Sequence, residues 1–151
     1  MEETMSYIDQ NLMAGEQVIY RGKLHWVLFV PAASVLIIGL LLLAVNGTVG
    51  GIVIAIAVID LIIAYLNYTT SEFGVTNKRV MIKVGIIRRH SLETLLKKVE
   101  SITVNQSIIG RMLGYGTIIA SGTGGTPEPF HKISNPLEFR KQVNEQIEKA
   151  G

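Results

Sequence analysis

The chain has 151 residues, 48% of them hydrophobic, a mean hydropathy of +0.38 and a formal charge of +2. That apolar content is too high for one ordinary soluble domain of this size, and the absence of cysteine excludes a disulfide framework and a thiolate zinc site. Charge is unevenly placed: residues 1–26 carry two basic and four acidic side chains, 27–66 carry only Asp60, and 67–151 carry twelve basic and seven acidic ones.

In chain order, "EETMSYIDQNLMAGEQ" places Tyr7, Ile8, Leu12 and Met13 on roughly one side of a short helix ending at Gly15. Its apolar side packs either on the folded domain or on a neighbour, and residues 1–26 form an N-terminal segment. Residues 27–45 are then free of charge for nineteen positions, about 28 Å of helix at roughly 1.5 Å per residue, close to a hydrocarbon core of about 30 Å. A signal peptide has a shorter apolar region and a small-x-small cleavage site, which Ala44-Val45-Asn46 does not supply. Residues 46–51, "NGTVGG", read as a turn, and a second apolar run over 52–66 extends to Tyr68. The expectation is a transmembrane helical hairpin over 27–68, its two helices antiparallel because the turn is short. Asn46-Gly47-Thr48 matches a glycosylation sequon but lies almost inside the membrane and reads as part of that turn.

Arg21, Lys23 and His25 precede the first span, Lys78 and Arg79 follow the second, and the turn between them has no charge. Because cationic flanks stay on the cytoplasmic side, this predicts a multi-pass protein of the cytoplasmic membrane with both termini inside. Trp26, Tyr65 and Tyr68 fall where interfacial anchors on that side belong.

Asp60 is the discordant residue of the hairpin, since a carboxylate near the bilayer centre costs about 2.5–3.5 kcal/mol on insertion scales. It shares a helix face with Ala57 and Ala64, the kind of small-residue surface on which membrane helices pack. Ser34 lies at similar depth in the hairpin, so an interhelical or intersubunit hydrogen bond is the expectation. A proton or ion path is the alternative, although no second intramembrane charge completes one.

Residues 69–151 follow a different pattern. In "EFGVTNKRVMIKVGIIRRHSL" Val80, Ile82 and Val84 alternate with Arg79, Met81 and Lys83, which reads as a hairpin. "KVESITVNQS" and "YGTIIASG" read as further strands, and "PEPFHKI" as an edge strand because of Pro127 and Pro129. Asn135 as N-cap, Pro136 and Glu138 then open a helix over 136–149, with Phe139, Val143, Ile147 and Ala150 as its apolar stripe. The fold class is therefore α+β: a two-helix transmembrane hairpin, then an antiparallel β-barrel or sandwich capped by a C-terminal helix.

The stretches "GEQVIYRGKLHW", "YTTSEFGVTNKRVMIKVGIIRR" and "LKKVESITVNQSIIGRMLGYGTI" resemble the bacterial pleckstrin-homology (PH) domain proteins of the second type, once catalogued as a membrane domain of unknown function. Gln106, Ser107, Gly110, Leu113, Gly114, Tyr115 and Gly116 fall in that family's order of strand, short helical turn and strand. The resemblance covers nearly the whole chain and implies a PH-like barrel. Many relatives carry the domain in tandem, whereas this chain has one copy.

Between residues 78 and 111 lie Lys78, Arg79, Lys83, Arg88, Arg89, Lys97, Lys98 and Arg111 against Glu93 and Glu100, a local +6. Such a cluster attracts anionic inner-leaflet headgroups at about 1 kcal/mol per cation near the surface. Arg88 and Arg89 are adjacent and would point to opposite strand faces. "GRMLGYG" and "SGTGGTP" lack a following GK[ST] and read as turns. His25, His90 and His131 are dispersed, so neither a metal site, a cofactor nor a nucleophile–base pair is expected. Nucleic-acid binding is not expected either, because aromatic residues do not interleave with the cations. The expected function is that of a non-enzymatic, membrane-anchored module for protein assembly or homo-oligomerisation, with anionic-lipid sensing as the alternative.

Overall fold

The computed structural model describes residues 6–85 and 89–151. The chain forms two compact units, one made of the residues up to 25 together with those from 71 onward, the other of Trp26–Thr70.

The second unit is a helical hairpin. A 3₁₀ turn, Trp26–Phe29, leads into α2 (Val30–Val45), and α3 (Gly47–Thr70) returns antiparallel to it. Pro31 sits in the first turn of α2, where its missing N–H would have no partner anyway. The helix therefore starts later than residue 27. The turn expected over 46–51 contracts to Asn46, and the second helix is longer than 52–66. Asn46 Oδ1 accepts from the amides of Thr48 (3.1 Å) and Val49 (3.2 Å), capping α3 so early that no further linker is needed. The two stretches, 20 and 24 residues long, are long and apolar enough to cross a membrane. Their seam is made of small residues, with Ala32 and Gly39 of α2 and Gly50, Ala57 and Ala64 of α3 buried. At Gly50 the backbones touch, and a Cβ there would lie 2.4 Å from the Leu43 Cα. Such close approach supplies dispersion contact between the two helices.

In the first unit, α1 (Tyr7–Gln10) is followed by β1 (Val18–Gly22), β2 (Glu72–Thr76), β3 (Arg79–Val84) and β4 (His90–Leu95), which form one antiparallel sheet in the order β1-β2-β3-β4. β5 (Val99–Asn105), β6 (Tyr115–Gly122) and β7 (Glu128–Ser134) form a second, with α4 (Ile108–Leu113) between β5 and β6. After β1 the chain crosses over to the second sheet: Leu24 pairs with Ile133, and the amides of His25 and Ser134 bond to Lys132 and Lys23 carbonyls. β7, expected at an edge, thus gains a neighbour on its free side.

The core between the sheets follows the period of two. Phe73 and Val75 pair with Ile82 and Val80 on the inner face, and the Phe73 ring meets Phe130 of the other sheet edge-on at 6.4 Å. α5 (Pro136–Ala150) covers the open end with Phe139, Val143 and Gln146 fully or nearly buried. Gln146 replaces Ile147 in the expected stripe. Asn135 does occupy the N-cap, but in the left-handed conformation (φ 48°) and without a side-chain cap bond. Its carbonyl instead receives the amides of Glu138 and Phe139.

The outer face of β2 and β3 is also buried, because residues 6–16 lie across it. Ile8 fills the space above Gly74, where a Cβ would meet its Cδ1 at 2.6 Å. Ile8 therefore packs on its own domain, with Tyr7 and Leu12 half-buried and Met13 exposed. β1 was not legible as a strand, since the turn residues that would delimit "VIYRG" are missing on one side.

Candidate functional site

Of the eight cations expected as a basic cluster, the seven among the described residues do not lie together. Arg79 is buried: its Nε donates to Glu16 Oε1 (3.0 Å), its Nη1 to Glu93 Oε2 (2.7 Å), and its Nη2 to Glu16 Oε2 (3.2 Å) and the Asn11 carbonyl. Glu16 also accepts from the Thr76 hydroxyl (2.7 Å) and the Met13 amide (2.7 Å). Burial pushes the Glu16 carboxyl upward, but the hydrogen bonds from Arg79, the Met13 amide and Thr76 outweigh it and hold the carboxyl below its usual range. Arg79 is thus a structural clasp for the N-terminal segment and not a headgroup ligand. The reason is its outward register on β3, under residues 6–16.

The remaining cations separate along the strands. Lys78, Lys97 and Lys98 cluster at one end, where the Leu96 amide bonds to the Lys78 carbonyl; the Lys78 ammonium donates to the Ala14 carbonyl (2.7 Å). Lys83 lies at the other end of β3, opposite Glu72, with its ammonium 5.2 Å from the centre of the Tyr7 ring, and Arg89 is exposed just before β4. Arg88 lies outside the described residues. Five residue steps from Lys78 to Lys83 separate the two groups by roughly 17 Å at about 3.3 Å per step. Arg111 is exposed on α4.

One end of this domain is where the chain leaves and re-enters. Gly22 pairs with Phe73, so the residues before Trp26 and the start of β2 at Glu72 lie side by side. Lys83 belongs to this end through its pairing with Glu72. α4 belongs to it as well: His25 Nε2 donates to the Leu113 carbonyl (3.1 Å), and its ring lies 5.2 Å from that of Tyr115. Lys78, Lys97 and Lys98 mark the opposite end, with the turn after β6, where Thr123 bonds to the Lys98 carbonyl.

In the hairpin, Leu43 lies against Gly50 and Ile54 against Gly39. Extending that register brings Ser34 level with Ile59, one residue from Asp60. The expected bond between Ser34 and Asp60 is nevertheless absent. Ser34 Oγ donates to the Val30 carbonyl of its own helix (2.8 Å), the bond that Ser makes readily in an apolar helix. Both side chains point away from the seam, and among the described residues the Asp60 carboxylate makes no hydrogen bond or ion pair. It stands among exposed Ile56, Ile59 and Ile63, about 15 Å of helix from Thr70. Trp26 and Tyr65 are exposed at the hairpin's open end, and the Tyr68 ring lies 5.4 Å from that of Phe29.

The two sheets part between β4 and β5, leaving a cleft of about 370 Å³ lined by Leu92, Glu93, Lys98, Val99, Ile102 and Ala120 among others. The three histidines are separate: His90 pairs with Glu128, and His131 Nδ1 with Thr117. Among the described residues no three His, Asp or Glu side chains converge as a metal site. The short helical turn that the resemblance implies between two strands is α4, capped by Ser107 and Gly114; its exposed apolar face was not singled out from the sequence.

No curated protein and no solved structure matches the chain significantly. The family model described as the bacterial PH domain matches residues 27–147, which include the hairpin and nearly all of the sheets and terminal helix. With seven antiparallel strands in two sheets among the described residues, a closing helix and this match, the chain belongs to the bacterial PH domain family.

Proposed function

We propose that the protein is a non-enzymatic, membrane-anchored PH-like module that assembles with further copies of itself through its hairpin. The observation that carries this reading is Asp60: a carboxylate at mid-span, outside the seam of its own hairpin and without a partner among the described residues. Facing lipid it would be costly, and a second copy inserted with the same topology presents an identical carboxyl group at the same depth. A hydrogen bond between the two groups, one of them in its protonated form to supply the donor, removes both from lipid, and the exposed Ile56, Ile59 and Ile63 around them supply the packing.

Asp60→Leu should weaken association by roughly tenfold, in line with about 1–2 kcal/mol for polar contacts between model membrane helices. Asp60→Asn, which keeps donor and acceptor, should retain most of it. Native mass spectrometry of the protein in mild detergent reads both, and an unchanged oligomer for Asp60→Leu rejects the reading.

Anionic-lipid contact is the second reading, favoured by Lys83, Arg89 and Arg111, of which Lys83 and the α4 residue Arg111 lie at the end of the domain where the chain leaves. Lys78, Lys97 and Lys98, at the opposite end, are solvated in this reading.

A further inference from the structure

Helix α4 exposes nearly all of its apolar surface. Ile108 is 78% exposed, Ile109 61%, Met112 81% and Leu113 43%. At about 100° per residue these four fall within an arc of roughly 140°, opposite Gly110 and with Arg111 at the rim. Gly110 is buried against the domain, where a Cβ would lie 2.7 Å from the Tyr115 carbonyl oxygen.

The helix is also firmly held in this attitude. Ser107 Oγ accepts from the Gly110 amide (3.0 Å), Gly114 closes the other end in the left-handed conformation with its amide on the Gly110 carbonyl (2.8 Å), and Gln106 Nε2 donates to the Tyr115 carbonyl (3.0 Å). A segment so tightly capped presents its apolar side as a built surface. Contiguous exposed apolar residues of this kind mark a site of contact.

Its position identifies what is contacted. The Leu113 carbonyl is hydrogen-bonded to His25, and the next residue, Trp26, opens the first stretch able to cross a membrane. The two residues are consecutive, so the end of the domain that carries α4 is tethered directly to the start of that stretch. Four side chains are far too few for a stable protein interface, which buries about 800 Å² per partner. They suit the depth of about 5–10 Å to which interfacial helices bury their apolar faces, with a cation at the rim.

We propose that α4 is a foot on the membrane: Ile108, Ile109, Met112 and Leu113 enter the headgroup layer of the leaflet beside the hairpin, and Arg111 meets the lipid phosphates. This rests on the hairpin crossing the bilayer, as in the function proposed above. The foot adds a fixed third attachment to the two covalent ones, and so sets the attitude of the domain to the membrane surface.

The chain has no cysteine, so single thiols can be introduced at exposed positions and labelled with the fluorophore nitrobenzoxadiazole. Met112→Cys, Thr126→Cys at the opposite end of the domain, and Ile37→Cys on the exposed face of α2, away from the residues proposed to pack between copies, are reconstituted as full chains in phosphatidylcholine–phosphatidylglycerol vesicles carrying nitroxide lipids, shallow or deep. The label at 37 should be quenched by deep nitroxides. The label at 112 should be quenched several-fold more than that at 126, and more by shallow than by deep nitroxides. Equal quenching at 112 and 126, with 37 still quenched, overturns the foot alone; emission at 112 that is blue-shifted but unquenched shows it covered by protein, which also overturns it. Loss of quenching at 37 overturns the spanning hairpin itself, and the foot with it.

Discussion

Replacing Arg79 by alanine should destabilise the PH-like domain by about 3–5 kcal/mol, the range for removing one partner of a buried ion pair. The guanidinium holds Glu16, Glu93 and the Asn11 carbonyl together. Without it the Glu16 carboxylate remains enclosed with only Thr76 and the Met13 amide as donors. Residues 6–16 should then lift from β2 and β3, exposing Met81 and the space above Gly74 that Ile8 fills. Hydrogen exchange during a urea titration of the detergent-solubilised chain reads both effects, as a lower midpoint and as early exchange at the outer amides of residues 6–16. Lysine is a poor replacement, because one ammonium cannot reproduce the fork. The same network makes stability acid-sensitive. Since the folded Glu16 carboxyl lies below its usual range, its contribution is complete above the unfolded value of about 4.3 and is lost as pH falls through the lower folded value. A Glu16→Gln variant, less stable at neutral pH, should lose less on acidification.

Phe139→Ala should be of similar size, about 3–5 kcal/mol for a fully buried phenylalanine. Its ring closes the open end of the two sheets: it lies 6.2 Å from Tyr20, edge-on, and so close to Gly22 that a Cβ there would be 3.6 Å away. Losing the ring opens a cavity under α5 at the junction with β1. α5 amides should exchange early in the same titration, while α2 and α3, in a separate unit, should keep their protection. Equal loss in the hairpin would show that α5 is not the element affected.

Much of this organisation is legible in the sequence because it rests on periodicities that tertiary contacts do not override. Two long apolar runs, the alternation Val80, Ile82 against Arg79, Met81, and Pro136 at a helix start each survive in the folded chain. What misled is where one-dimensional pattern says nothing of what lies above a face. Arg79 and Lys83 alternate identically, yet the N-terminal segment covers one and leaves the other half-exposed. Ser34 and Asp60 are level in the hairpin, but depth does not fix azimuth, and the serine hydroxyl has a nearer acceptor in Val30. The length of the turn at Asn46 depended on a side-chain cap that composition does not reveal. α4 is too short for periodicity to register, although its apolar residues are its main property.

The central claim, a hairpin that crosses the membrane and leaves the PH-like domain on one side, is tested most directly by thiol accessibility. Gly47→Cys places a thiol at the hairpin turn, where a side chain meets no atom within 4 Å, and Thr126→Cys places one on an exposed loop of the domain. With membrane-impermeant maleimide on intact bacterial cells, position 47 should label from outside and position 126 only after lysis. Labelling of both from one side, or recovery of the chain in the soluble fraction, would contradict the account.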